Sequence, residues 1–103
     1  MVYMLATLRA KPGHLEELIE AINECFPNSE RHGYKLAAAW RTVIGPVPEV
    51  IDLWAFESLE HFEKAMQSRA QDPKFKEVFA KVMSHTADET LRILTPLPFS
   101  RLQ

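Results

Sequence analysis

The sequence carries one cysteine, Cys25, in 103 residues. A lone thiol cannot close an internal disulfide or build a cysteine zinc site, which sets aside secreted disulfide scaffolds and favours a reducing compartment. Basic residues are also few. Twelve Lys and Arg against fourteen Asp and Glu leave a formal net charge of -2 with no clustered basic run, so neither nucleic acid nor an anionic membrane is an expected partner. No apolar run approaches the roughly 20 residues that cross a bilayer, and no basic leader precedes an apolar stretch after Met1. The expected location is therefore cytoplasmic. With three glycines there is no glycine-rich phosphate loop, and no serine elbow is present. His14, His32, His61 and His85 follow no paired metal-ligand spacing, so no metal and no cofactor are expected.

What is present suits one folded domain spanning residues 1–103. Hydrophobic residues make up 47% and charged residues 25%, a globular balance that excludes a disordered chain. A chain this short buries only about two thirds of the surface its unfolded form exposes, so it gains from association.

Residues 2–10 are apolar on both alternations, as in a strand covered on two sides. After Lys11-Pro12-Gly13, Leu15, Leu18, Ile19, Ile22, Cys25 and Phe26 recur at helical spacing, which predicts an amphipathic helix bent or ended at Pro27, with room to resume through Glu30 to His32, and stopped by Gly33. A second strand, 36–44, and a third, 50–56, flank Gly45-Pro46-Val47-Pro48-Glu49 and predict a hairpin. Symmetric closure of that loop would pair Ile44 with Val50, Thr42 with Asp52, Trp40 with Trp54 and Ala38 with Phe56. Ser58 is a predicted N-cap for a helix over 59–70, with a stripe of Leu59, Phe62, Ala65, Met66 and Ala70. Asp72-Pro73 opens a further helix carrying Phe75, Val78, Phe79, Val82 and Met83 inward. Residues 90–94 form a last strand, and 96–103 an extended C-terminal arm expected to lie against a neighbouring subunit.

This order predicts an α+β fold, a ferredoxin-like βαββαβ unit with an extra helix before the last strand and a four-stranded antiparallel sheet. The small residues Ile51, Leu53 and Ala55 are expected beneath the helices. The larger Trp40, Asp52, Trp54, Phe56 face is then left bare, and a second copy packed sheet to sheet would cover it. A homodimer or higher homo-oligomer is the expected state.

The stretch VYMLATLRAKPG, the hairpin AAAWRTVIGPVPEVIDLWAFESLE and the ending ADETLRILTPLPFS resemble the NIPSNAP family of dimeric α+β barrel proteins over nearly the whole chain. The most specific pieces are Trp40 to Pro46, Leu53 to Leu59 and Pro96 to Ser100. The resemblance implies a ferredoxin-like subunit whose sheet closes a barrel with its twin, as in cofactor-free monooxygenases and isomerases of that superfamily. The chain departs from the family pattern at Met4, Ala6 and Leu8, where Glu, Arg and Tyr are expected. It departs again at Val43, Pro48, Asp52 and Phe56, where Glu, Asn, His and Tyr are common. These exchanges mostly remove polarity and imply a greasier interior.

Asp52 is the candidate catalytic residue, because a carboxylate among Trp40, Thr42 and Trp54 would have a raised pKa and could accept a proton. The duller alternative pairs it with Thr42 or with one of Arg9, Arg41 and Arg92. Trp40, Thr42, Trp54 and Phe56, with Met4, are the candidate ligand-binding residues, although large aromatics across a hairpin also fill cores. Cys25 reads as inert packing. Two functions follow. One is a homodimeric barrel that binds an apolar small molecule or serves assembly. The other is a cofactor-free monooxygenase or isomerase acting on an apolar aromatic substrate, with Asp52 as proton acceptor.

Overall fold

Met4, Ala6, Leu8 and Ala10 of the first strand, β1 (Val2–Ala10), point to one side and are buried, while Tyr3, Leu5, Thr7 and Arg9 point to the other. The computed structural model describes residues 1–103, and after β1 come α1 (Leu15–Glu30), β2 (Lys35–Arg41), β3 (Glu49–Phe56), α2 (Leu59–Ala70), α3 (Pro73–Ser84) and β4 (Thr86–Leu94). The strands make one antiparallel sheet in the order β2-β3-β1-β4. This is the ferredoxin-like α+β arrangement that the sequence predicts, with both α2 and α3 before the last strand.

All three helices lie on the Met4–Ala6–Leu8 side of the sheet. Leu18, Ala21 and Cys25 of α1 pack with Phe75, Val78 and Val82 of α3 against Ala6, Leu8 and Val50. A second cluster joins Ala65 of α2 to Met4, Tyr34, Trp54 and Phe56. Local signals set the helix ends as expected: Ser58 Oγ accepts from His61 N at 3.0 Å, and Asp72 Oδ1 accepts from Lys74 N at 2.9 Å ahead of Pro73. Helix α1 runs through Pro27 to Glu30 without a break, so the proline does not end it. The missing proline N–H falls in the last turn, where it costs one hydrogen bond and interrupts nothing beyond it. Gly33 then takes a φ of +98°, and a Cβ there would stand 3.1 Å from His61 Nε2.

The hairpin is where sequence and structure part. Arg41 pairs with Val50, Trp40 with Ile51, Ala39 with Asp52 and Ala38 with Leu53, and the register shifts between Leu36 and Ala38. Residues 42–48 stay outside the ladder, because Pro46 and Pro48 have no N–H to give and Gly45 sits at φ +133°. Thr42 closes this longer loop, its N donating to Glu49 O at 3.1 Å and its Oγ1 to Glu49 Oε1 at 2.8 Å. The expected pairing is thus displaced by three residues. An odd displacement turns every side chain over, so Trp40 and Thr42 share a face with Ile51 and Glu49 instead of with Asp52 and Trp54.

The face assignment is also reversed. Asp52, Trp54 and Phe56 lie beneath the helices, and Ile51, Leu53 and Ala55 lie on the open side. Aromatic packing accounts for it: Tyr34 meets Trp54 and Phe56 edge-on at 5.5 and 5.0 Å, and Phe62 of α2 meets Phe56 at 5.1 Å. The C-terminal arm follows β4. It turns at Pro98–Phe99, with Ser100 N donating to Leu97 O, and Tyr3 Oη of the same chain donates to Gln103 O at 2.6 Å. No helix is long and apolar enough to cross a membrane.

Candidate functional site

Asp52 stands in the middle of β3 with Ala6 on one side and Ala39 on the other as its cross-strand partners. Two alanines offer no hydrogen bond and leave space above the carboxyl. The residue is 5% exposed, and its Oδ1 has no hydrogen-bond partner. Each alternative partner is engaged elsewhere or directed away. Thr42 bonds to Glu49, Arg9 pairs with Asp88 and Arg41 with Glu16, and Arg92 lies opposite Leu5 on the open face. Burial pushes the Asp52 carboxyl up to about 6, and the nearby charge of Glu89 adds to the rise.

The space above Asp52 opens two ways under α1. A chamber of about 160 Å³ lies toward α2, α3 and β4, and a groove of about 330 Å³ lies between α1 and β2. Asp52, Ile22 and Phe26 line both, so the carboxyl sits where the two meet. Met4, Ala6, Leu8, Trp54 and Phe79 make the chamber apolar. Small-molecule sites are typically apolar with a few convergent polar groups and roughly 300–1,000 Å³ in volume; the groove reaches that range, and the chamber is smaller.

Three polar residues face the chamber that the sequence reading does not single out: Arg69, Ser29 and Glu89. Arg69 Nη1 donates to Ser29 Oγ at 3.1 Å, and the guanidinium carbon lies 4.1 Å from the Tyr34 ring centre and 4.2 Å from that of Phe75. Burial lowers the arginine pKa, and burial likewise raises that of Glu89. The inward line of α2 runs Phe62, Ala65, Arg69, at spacings of three and four, whereas Leu59, Met66 and Ala70 are exposed. Helical spacing was thus the signal for Arg69. It is masked by the habit of reading an arginine as a surface residue.

Of the candidate residues, the structure gathers Asp52, Trp54 and Met4 at the chamber. Phe56 is 1% exposed and serves the core behind Trp54. Trp40 sits at the rim of the second groove, 54% exposed, and Thr42 belongs to the hairpin loop. Cys25 lines the chamber wall, where burial pushes its thiol up to about 11, far from a reactive thiolate. The histidines serve local structure: His32 Nε2 donates to Asp72 Oδ2 at 2.7 Å, His61 Nε2 donates to Gly33 O at 2.8 Å, and the Nδ1 atoms of His14 and His85 lie 3.0 Å apart.

A family model described as NIPSNAP matches residues 3–101. Among solved structures, a NIPSNAP family protein of unknown function from Agrobacterium tumefaciens superposes with a TM-score of 0.91 at 24% identity, covering 100% of this chain and 94% of that one. An uncharacterised NIPSNAP domain protein from Burkholderia xenovorans gives 0.87 at 18% identity, covering 97% and 98% of the two chains. A structure described as an antibiotic biosynthesis monooxygenase gives 0.72 at 14% identity, covering 95% and 100%. At these identities the likenesses concern the fold. No curated protein matches the chain.

Proposed function

The chain belongs to the NIPSNAP family, and from that premise we propose that it binds a small, mostly apolar molecule in the cleft beneath α1 of each protomer of a homodimer. The observation that carries the reading is the unpartnered Oδ1 of buried Asp52 at the meeting point of two apolar spaces. A buried polar atom without a partner costs about 1–3 kcal/mol, and a ligand donor would remove that cost. Reachable space beside the carboxyl supports binding over a purely assembling role. The homodimer reading is supported by the open face, where Leu5, Ile51 and Leu53 are half-buried, Trp40 is exposed, and no helix of the chain lies above them. Two such faces packed together would close the α+β barrel.

A second reading, in which Asp52 is the proton acceptor of a cofactor-free isomerase or monooxygenase acting on an apolar aromatic substrate, is favoured by one specific observation. A carboxyl held at about 6 is ionised at neutral pH and still basic enough to take a proton. Native mass spectrometry of protein purified from its own host tests the binding reading. The expected spectrum shows two copies carrying an additional small mass, which the Asp52→Asn variant retains poorly. A lone protomer without added mass, failing also to take up apolar compounds at tens of micromolar, would remove it.

A further inference from the structure

The half-buried arginine of the chamber, Arg69, defines the chemistry of the occupant, an inference that rests on the binding reading above. Arg69 is held in place by Tyr34, Phe75 and Ser29. Arg9, Arg31 and Arg41 form ion pairs at the surface, but Arg69 has no carboxylate within 4.0 Å. Ser29 Oγ is the sole protein acceptor on its guanidinium, so four of the five N–H donors of an arginine remain free. A fixed cation with spare donors and an unpartnered carboxyl thus face one apolar chamber. They are complementary to a single occupant that has an oxygen to accept from Arg69 and a proton to give to Asp52. Charge narrows the class further. Glu89 lines the same chamber, and two acids against one cation would repel a ligand carrying a full negative charge of its own.

We propose that the chamber takes a neutral, largely apolar, enolisable carbonyl compound, with its carbonyl oxygen on Arg69 and the hydrogen of the adjacent carbon facing Asp52. In the reaction this arrangement supports, the C–H bond next to the carbonyl breaks and its proton passes to the Asp52 carboxylate. The released pair forms the carbon–carbon double bond, and the carbonyl π pair moves onto oxygen. Arg69, fixed by Tyr34, Phe75 and Ser29, holds that developing negative charge with a donor already in place. Return of the proton to the other end of the enolate isomerises the compound, with no oxidant or cofactor needed. The assignment makes Asp52 the base and Arg69 the oxyanion holder.

Two test ligands separate this proposal from the reading it rests on: 2-naphthol, a stable enol, and naphthalene, the same frame without oxygen. By titration NMR the wild-type protein should bind 2-naphthol at least ten-fold more tightly than naphthalene. The Arg69→Gln variant should bring that ratio to within two-fold while keeping naphthalene binding. In wild-type protein labelled with ¹⁵N, the Arg69 side-chain resonance should move with 2-naphthol and stay fixed with naphthalene, a readout that does not depend on the variant folding. The wild type should also speed deuterium uptake by 2-tetralone from heavy water at least 100-fold over buffer, and Asp52→Asn should abolish the increase. Equal affinity for the two ligands with a silent Arg69 resonance would overturn the carbonyl assignment and leave a plain apolar cleft. Binding of neither would overturn the cleft reading together with it.

Discussion

Consecutive residues of β3 meet opposite fates. Val50, Asp52, Trp54 and Phe56 are 1–6% exposed under the helices, whereas Ile51 and Leu53, one step along the same strand, are only half-buried on a face that the chain covers at Tyr3 and Ala55 and leaves open beyond them. The buried series is the more heterogeneous, with a valine, an acid and two aromatics. The open series is the more uniform. A hydrophobic pattern therefore marks burial on both faces without saying which cover each receives. The helix side tolerates an acid because it encloses a cleft there, and the open side needs uniformity if it is to meet a copy of itself.

Three substitutions in this one strand should break the comparison to different degrees. The largest effect is expected at Phe56, whose ring touches Tyr34, His61 and Phe62 at centroid distances of 5.0, 5.4 and 5.1 Å. Phe56→Ala removes a fully enclosed aromatic and should lower unfolding free energy by about 3–5 kcal/mol in urea denaturation. A loss below about 1 kcal/mol would mean that the aromatic cluster does not hold α2 on the sheet.

Asp52 comes next, with the opposite sign. Its folded pKa of about 6 lies above the ordinary 3.8, so the folded protein binds this proton more tightly than the unfolded chain does. Stability is then lost as pH rises from about 3.8 to about 6, and above that the ionised carboxyl costs up to about 3 kcal/mol. Asp52→Asn should recover much of this at pH 8 and nearly nothing at pH 3.5. Asp72 behaves in the reverse manner. Its hydrogen bond from His32, with smaller contributions from the backbone of Lys74 and Phe75 and from Arg31, holds its pKa below the ordinary value. Its stabilising effect is present above about 3.8 and disappears as pH falls through the depressed value. Asp72→Ala should accordingly lower Tm at pH 7, by on the order of 5 °C for loss of the α3 cap. Parallel stability-versus-pH curves for Asp52→Asn and wild type would show that the buried acid is not strained.

The physics of single elements was legible in the sequence, and the pairing between elements was less so. Helical spacing located α1 and α3, Ser58 and Asp72 announced the starts of α2 and α3, and the order of elements led to the ferredoxin-like sheet. Asp52 could be picked out as an acid in apolar surroundings. The loop after Arg41 could not be read as well, because Thr42, Val43 and Ile44 are β-branched and strand-like, and only the two prolines and Gly45 keep them out of the ladder. That slip set Trp40 and Thr42 beside Asp52 and Trp54, whereas they share a face with Ile51 and Glu49. Arg69 was hidden for a different reason: its helical position is inward, but its cover comes from Tyr34, far back in the sequence, and from Phe75 on the next helix, a packing that helical spacing alone does not show.

The smallest effect on the protomer, and the most telling about the open face, is expected at Leu53. Its neighbours across the sheet are Leu5 and Ala38, both on the same bare side. A lysine there should cost an isolated protomer at most about 1 kcal/mol, since Leu53 is only half-buried and lies away from the core clusters. Set against a second copy, the same lysine would meet apolar surface and bury an unpaired charge, which association cannot tolerate. Wild-type Tm should therefore rise with protein concentration, as it does when a partner binds only the folded chain, while Leu53→Lys should melt at one temperature from 1 to 100 μM and sediment as a single copy. If the variant still sediments as a pair with wild-type concentration dependence, the copies meet elsewhere, and the uniform apolar row of β3 faces water for some other reason.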